Sequence, residues 1–168
     1  MKKILVVMLM LAPMSIFAQK LAHFDMSKVL PEMAEYQTAS ADIQKLQSQY
    51  QEELERLQKE YTTKAEELQK LSEDKNAAQA ILQSKAQDLQ KMEQSIQDFY
   101  NASQQDLQKQ QGEKMEIIQT KVMAAIRKLG EAGNYVYVVD ISTGAIPFVN
   151  EALSTDITAQ LKAELGIK

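Results

Sequence analysis

The sequence predicts an α+β protein that is mainly α, in which a long antiparallel helical hairpin (a coiled-coil arm) projects from a small β-rich body formed by both ends of the chain. Two observations support this fold class. Residues 40–131 are dominated by Gln, Glu, Lys, Leu, Ala and Ser and contain no Pro, a composition that favours helix. Residues 134–168 regain Gly, Pro, Val and aromatic residues, which are typical of strands and turns.

The N-terminus has the pattern of a secretory signal peptide. Lys2 and Lys3 form a short positive region, and an unbroken apolar run follows over residues 4–11. This run is shorter than the roughly 20 residues that a membrane-spanning helix needs. We therefore expect residues 1–18 to be a cleaved signal peptide, with cleavage after Ala18, and the mature chain to be exported to the periplasm.

Charge and cysteine content exclude several classes of function. Without Lys2 and Lys3 the mature chain carries 17 of the 19 basic residues against 23 acidic residues, a net charge of −6. An acidic chain is poorly suited to bind nucleic acid, because that binding depends on neutralising phosphates with Lys and Arg. The sequence has no Cys, which excludes disulfides, thiol catalysis and Cys-based metal sites.

The middle of the chain reads as two helices, residues 40–71 and 76–131, because apolar residues recur at alternating steps of three and four. Five polar residues at 72–76 predict the tip of a helical hairpin. At about 1.5 Å per residue the helices would be roughly 48 and 84 Å long. The residues predicted at the hairpin seam are Leu46, Tyr50, Leu54, Leu57, Tyr61, Leu68, Leu89, Met92, Ile96 and Phe99.

A polar stretch interrupts this seam at residues 104–112, which contain one large apolar residue and end at Gly112. It is either a solvated helix surface or a soft point at which the arm flexes. The coincidence of the polar run with a Gly, which costs about 1 kcal/mol relative to Ala inside a helix, favours the soft point.

The two ends of the chain predict the body, residues 19–39 and 132–168. We expect strands at residues 21–25, 135–141 and 145–149, a short helix over 27–36 with Ser27 as its N-cap, and a last helix over 155–165 with Ser154 as its N-cap. These elements make too small a core to be stable alone, and the second strand is apolar on both faces. We therefore expect oligomerisation through the body, at Phe24, Tyr135, Val136, Tyr137, Val138, Val139 and Ile141.

Three segments resemble the Skp/OmpH family of periplasmic chaperones. Residues 21–30 (LAHFDMSKVL) are similar to the family's opening strand and helix start, and residues 135–140 (YVYVVD) to its "dLVVDa" strand. Residues 156–161 (DITAQL) resemble its C-terminal "DIT" helix start. With the long hairpin between them, the match covers the whole mature chain.

The resemblance implies a homotrimer in which the strands of three subunits build a shared β-rich trimerisation body and three hairpins surround a cavity. It implies an ATP-independent holdase that binds unfolded outer-membrane proteins in this cavity, close to a membrane surface, without cofactor, metal or small-molecule substrate. The best-known members are basic, whereas this chain is acidic and has no clear counterpart of their lipopolysaccharide-binding clusters. We therefore expect binding to depend more on apolar side chains and on confinement in the cavity.

Candidate client contacts are the arm aromatics Tyr50, Tyr61, Phe99 and Tyr100, which either pack at the seam or face the cavity. The spacing of Met92 and Met115 favours seam packing for both. The single histidine, His23, lies in a predicted strand without a second His or a Cys to partner it, which favours a packed residue over a catalytic one.

The alternative function is a structural coiled-coil spacer or tether of the cell envelope. The interrupted seam at residues 104–112 and the lack of an anchor motif count against it. No motif of an enzyme is present, and we expect no catalytic activity.

Overall fold

The computed structural model describes residues 20–167, so the predicted signal peptide lies outside the described residues. The described chain is mainly helical, as the sequence predicts, and it contains a small parallel sheet. Its residues divide into two compact units. We call residues 20–31 with 122–167 the terminal unit, and residues 32–121 the helix pair.

The terminal unit contains a three-stranded sheet with β1 (Lys20–Phe24) at its centre, β2 (Tyr135–Asp140) on one side and β3 (Ser154–Asp156) on the other. Both pairings are parallel, with Phe24 opposite Asp140 and His23 opposite Asp156. Because β1 has a neighbour on each side, its residues from Ala22 to Phe24 are buried.

Two short helices complete this unit. Helix α1 (Met26–Val29) continues into a 3₁₀ turn (Leu30–Glu32), and α4 (Thr158–Glu164) follows β3. The two α-helices contact each other, and α4 also contacts β1. The apolar residues buried in the terminal unit are Ala22, Phe24, Val29, Val122, Ala125, Ile157, Leu161 and Leu165.

The helix pair is formed by α2 (Ala34–Glu73) and most of α3 (Gln79–Gly133). Their 40 and 55 residues correspond to about 60 and 82 Å. Three ion pairs join the two helices, Glu35 with Lys121, Asp42 with Lys114, and Glu67 with Lys85. The helices are therefore antiparallel, since the partner's number falls as the number in α2 rises.

Helix α3 ends with Gly133, where a Cβ atom would clash with the ring of Tyr135. The next residue, Asn134, has a φ of 52° and donates its N–H to the Glu131 carbonyl. A left-handed residue directly after the last turn is a common way to end a helix, and Asn tolerates it better than most residues.

The predicted third strand at residues 145–149 is wrong. These residues form bends and extended chain, and Pro147 among them has no N–H to donate to a ladder. The third strand is Ser154–Asp156, which pairs with the free edge of β1. The predicted N-cap at Ser154 is also wrong, because Ser154 lies in this strand and the last helix begins only at Thr158.

The predicted N-cap at Ser27 is also wrong, because the carboxylate of Asp25 caps α1 by accepting the N–H of Ser27. The helix expected over residues 27–36 is broken after Glu32 by an extended Met33, and the long helix α2 begins at Ala34 instead of residue 40. The connection between the long helices is residues 74–78, two residues beyond the predicted tip.

Candidate functional site: the seam and the exposed apolar surfaces

The ten predicted seam residues have a common environment. Every one of them is half-buried, and none is fully buried. This is the physical limit of two helices, because two cylinders cover each other along one line and leave both flanks of each seam residue open to solvent. The helix pair is therefore held together by many partial contacts along its length.

One polar contact lies in the middle of the seam. The hydroxyl of Tyr50 on α2 donates a hydrogen bond of 2.7 Å to the carboxylate of Asp106 on α3. The Tyr50 ring meets Phe99 edge-on, at a centroid distance of 5.9 Å and an interplanar angle of 81°. The hydrogen bond to Asp106 raises the pKa of Tyr50, because it stabilises the protonated phenol.

Asp106 was missed by the sequence reasoning, which placed it in the polar stretch that interrupts the seam. The spacing along α3 identifies Asp106 as a residue of the seam face, since Phe99, Ser103 and Asp106 recur at steps of four and three. Ser103 is buried on that face. The stretch 104–112 is helical throughout, and the predicted soft point stays a prediction.

The four aromatic residues considered as client contacts differ in how accessible their rings are to a partner. Tyr50 and Phe99 contact each other, so each ring already has a partner. Tyr61 is half-buried and lines a shallow groove with Ile96. Tyr100 is exposed.

Other large apolar side chains of α3 are exposed as well. Ile117 is 69% exposed, and Ile81, Met115 and Met123 are also exposed. Met115 thus lies at the margin of the seam for which its spacing predicts it, whereas Met92 is half-buried there. None of the large apolar residues of α2 is exposed.

About half of the charged residues of the helix pair form ion pairs. Lys114 bonds Asp42 at 2.8 Å, and Lys121, one heptad further along α3, bonds Glu35. The bond from Lys121 lowers the pKa of Glu35. On α2, Arg56 contacts Glu53 at 2.7 Å and Glu60 at 3.2 Å, within one helix.

A second apolar surface lies on the terminal unit. Tyr137, Phe148 and Leu153 are 65%, 77% and 72% exposed. They line an apolar cleft of about 320 Å³ together with Leu21 and Val139. Exposed apolar patches of this kind mark interaction sites on soluble proteins more often than chance.

Two of the predicted oligomerisation residues, Tyr137 and Val139, line this cleft. Val136 and Tyr137 are exposed, and Phe24 is buried inside the unit. The remaining four, Tyr135, Val138, Val139 and Ile141, are half-buried.

His23 is a packed residue. Its side chain is buried in β1, and Nδ1 lies 2.9 Å from the Ser154 hydroxyl on β3. At the carboxyl ends of the strands, Asp25 and Asp156 accept hydrogen bonds from Ser27 and Thr158, respectively, and these bonds lower the pKa of both carboxyls. Both carboxylates thus cap the backbone at strand ends.

No group of residues suited to hold a metal ion occurs within residues 20–167. In the same range, no helix combines the length and the apolar character needed to cross a bilayer.

A small parallel sheet built from both ends of the chain, with a long antiparallel helix pair between them in sequence, defines the fold class. The same fold occurs in a protein from Caulobacter crescentus CB15 assigned as an OmpH-like outer membrane chaperone. The TM-score is 0.73 at 18% sequence identity, over 86% of this chain and 82% of the other. A comparison with the curated proteins gave no match.

The family model "Outer membrane protein (OmpH-like)" matches residues 20–165, and the chain belongs to this family. The family predicted from the three sequence motifs is thereby confirmed. Membership supports a chaperone role in general, and chaperones of this family are periplasmic and non-enzymatic.

Proposed function

We propose that this chain is an ATP-independent periplasmic holdase, whose homotrimer holds unfolded outer-membrane proteins in a cavity between three helical arms and prevents their aggregation. The observation that carries the proposal is the helix pair. Over residues 32–121 only Met33, Ser103 and Ile118 are buried, so nearly the whole length of both helices is accessible to a partner.

The terminal unit supports the assembly part of the proposal. Its apolar cleft around Tyr137, Phe148 and Leu153 leaves large side chains in water, and a single chain does not cover them. Burying such a surface contributes roughly 25 cal/mol per Å², so a second copy seated on it would be stabilising. In the proposed trimer this surface forms part of the shared body.

Weak contacts along three arms would retain the client. Each contact is small, but arms joined to one body hold their contacts at high effective concentration, so the total affinity exceeds that of any single arm. Release then needs no nucleotide, because each contact breaks independently.

Aggregation of an outer-membrane β-barrel, diluted from urea and followed by light scattering, tests the function. We expect the mature protein to suppress scattering at one trimer per client. Unchanged scattering at that ratio rejects the holdase. A pull-down that recovers one fixed partner instead of assorted outer-membrane proteins favours a spacer or tether.

The assembly part is tested with the double variant Tyr137→Asp and Phe148→Asp. We expect sedimentation to show monomers and the suppression of scattering to be lost, because two charges would have to be buried in the interface. The matched control is Ala145→Asp with Ala152→Asp, which adds the same charge to exposed sites of the loop that carries Phe148. A trimeric Tyr137/Phe148 variant contradicts this interface.

A further inference from the structure

We propose that the two helices of the helix pair have different roles: α3 contacts the non-native polypeptide, and α2 presents an acidic surface to solvent. The inference rests on the proposed holdase function and names the surface that performs it.

The first observation is the distribution of exposed apolar side chains. Within the helix pair, α3 exposes Ile81, Tyr100, Met115 and Ile117. Helix α2 contains nine large apolar residues, and all of them are half-buried at the seam. Single exposed apolar residues are ordinary on protein surfaces, so the difference between two helices of one pair carries the inference.

The sequence shows how this difference arises. Four pairs of adjacent large apolar residues occur in α3, namely 81–82, 99–100, 117–118 and 122–123. Successive residues of a helix point about 100° apart, so the seam takes one member of each pair and the other is directed away from it. Helix α2 has no adjacent pair of large apolar residues.

The second observation is charge. Within the helix pair, α2 carries nine acidic and five basic residues, whereas α3 carries six acidic and five basic residues up to residue 121. A nearly neutral helix with exposed apolar side chains suits uncharged, apolar segments of a partner. A helix with a net negative charge suits exposure to solvent, because its charged side chains are hydrated and favour solubility.

The spacing of the exposed residues favours an unfolded chain over a folded partner. Ile81 and Ile117 are 36 positions apart, which is about 54 Å along a helix. A folded partner or a second copy needs one contiguous patch of about 800 Å² per side. Separate apolar side chains with polar residues between them suit an extended polypeptide that contacts each of them independently.

The test uses the full mature chain with Ile81→Gln, Tyr100→Gln and Ile117→Gln, which keep helix propensity and leave the seam residues untouched. The matched control carries Ala41→Gln, Ser48→Gln and Thr63→Gln at exposed sites of α2. The affinity for a fluorescently labelled, urea-unfolded outer-membrane barrel is measured by anisotropy. We expect about tenfold weaker binding for the α3 variant and no change for the control.

Equal affinity of the two variants overturns the division of roles and leaves the holdase standing, provided that the unmodified protein suppresses aggregation. A change of oligomeric state in the α3 variant, seen by sedimentation, also overturns it, since the three side chains would then be subunit contacts. Failure of the unmodified protein to suppress aggregation rejects the proposed function itself.

Discussion

The terminal unit and the helix pair differ most in how completely they bury their side chains. Of the fourteen buried residues in the described chain, eleven lie in the terminal unit and three in the helix pair, although the helix pair is the longer of the two in sequence. A sheet with helices packed on it encloses side chains from several directions, and two helices alone enclose them from one.

One chain thereby combines a stable fold with an accessible surface. The residues of the terminal unit that reach full burial, such as Leu161 and Val29, contribute the most stability per residue. The half-buried seam of the helix pair contributes less per residue but extends over a long, accessible surface.

The largest effect is expected from Leu161→Ala in the terminal unit. Leu161 is fully buried, and removing a buried Leu side chain costs about 2–5 kcal/mol of unfolding free energy. The half-buried seam residue Leu57 is the matched control, and Leu57→Ala should cost about half as much or less, because its site already opens to solvent. Urea unfolding at one fixed protein concentration measures both. Equal losses would show that the seam is as enclosed as the core.

The sequence predicted the periodic elements better than the short ones. The alternation of three and four along residues such as Leu54, Leu57 and Tyr61 fixes a face of a long helix, because every turn repeats the same information. Strand β3 has only three residues, and it pairs with a strand that is distant in sequence, since His23 of β1 and Ser154 of β3 are 131 residues apart. No local pattern encodes such a contact, which is why residues 145–149 looked the better strand.

The candidate surfaces were predictable to a similar extent. The aromatic residues of the arm were identified from the sequence, but the hydrogen bond from Tyr50 to Asp106 decides that Tyr50 packs at the seam. Conversely, the exposure of Ile81 and Ile117 follows from their position beside a seam residue. That information is present in the sequence once the seam is known.

A smaller effect is expected from Tyr50→Phe in the helix pair. This change removes one hydrogen bond of 2.7 Å and keeps the ring against Phe99, so we expect a small loss of unfolding free energy. Tyr100→Phe is the control, since the Tyr100 side chain is exposed. Unfolding followed by helix circular dichroism measures both. Identical stability of the two variants would mean that the Asp106 contact contributes nothing in solution.

Raising the pH into the alkaline range should remove the stabilisation that comes from the contact between Tyr50 and Asp106. The pKa of Tyr50 is raised in the folded chain, so its contribution to stability is complete below the ordinary tyrosine value of about 10 and is lost as the pH rises through the raised value. The stability of the Tyr50→Phe variant should therefore fall less than that of the unmodified chain between about pH 10 and 12. Equal alkaline sensitivity of both proteins speaks against this linkage.

Lowering the pH should destabilise the terminal unit. The pKa values of Asp25 and Asp156 are lowered by hydrogen bonds from Ser27 and Thr158, so the folded state favours their charged forms. Their stabilisation is present above the ordinary Asp value of about 4 and is lost as the pH falls through the lowered values. Asp156→Asn, which keeps an oxygen acceptor for Thr158, should reduce the acid sensitivity of unfolding between about pH 4 and 2. An unchanged pH profile would assign the acid sensitivity to other carboxylates.

The smallest effect is expected from Arg56→Ala on the outer face of α2. Its two ion pairs, to Glu53 and Glu60, are exposed to solvent and lie within one helix, so removing them should leave the unfolding free energy nearly unchanged. If α2 faces solvent in the working assembly, the affinity for unfolded outer-membrane protein should also stay the same, at low salt and at high salt. A clear loss of client affinity with unchanged stability would place Arg56 in the client contact and reverse the roles assigned to the two helices.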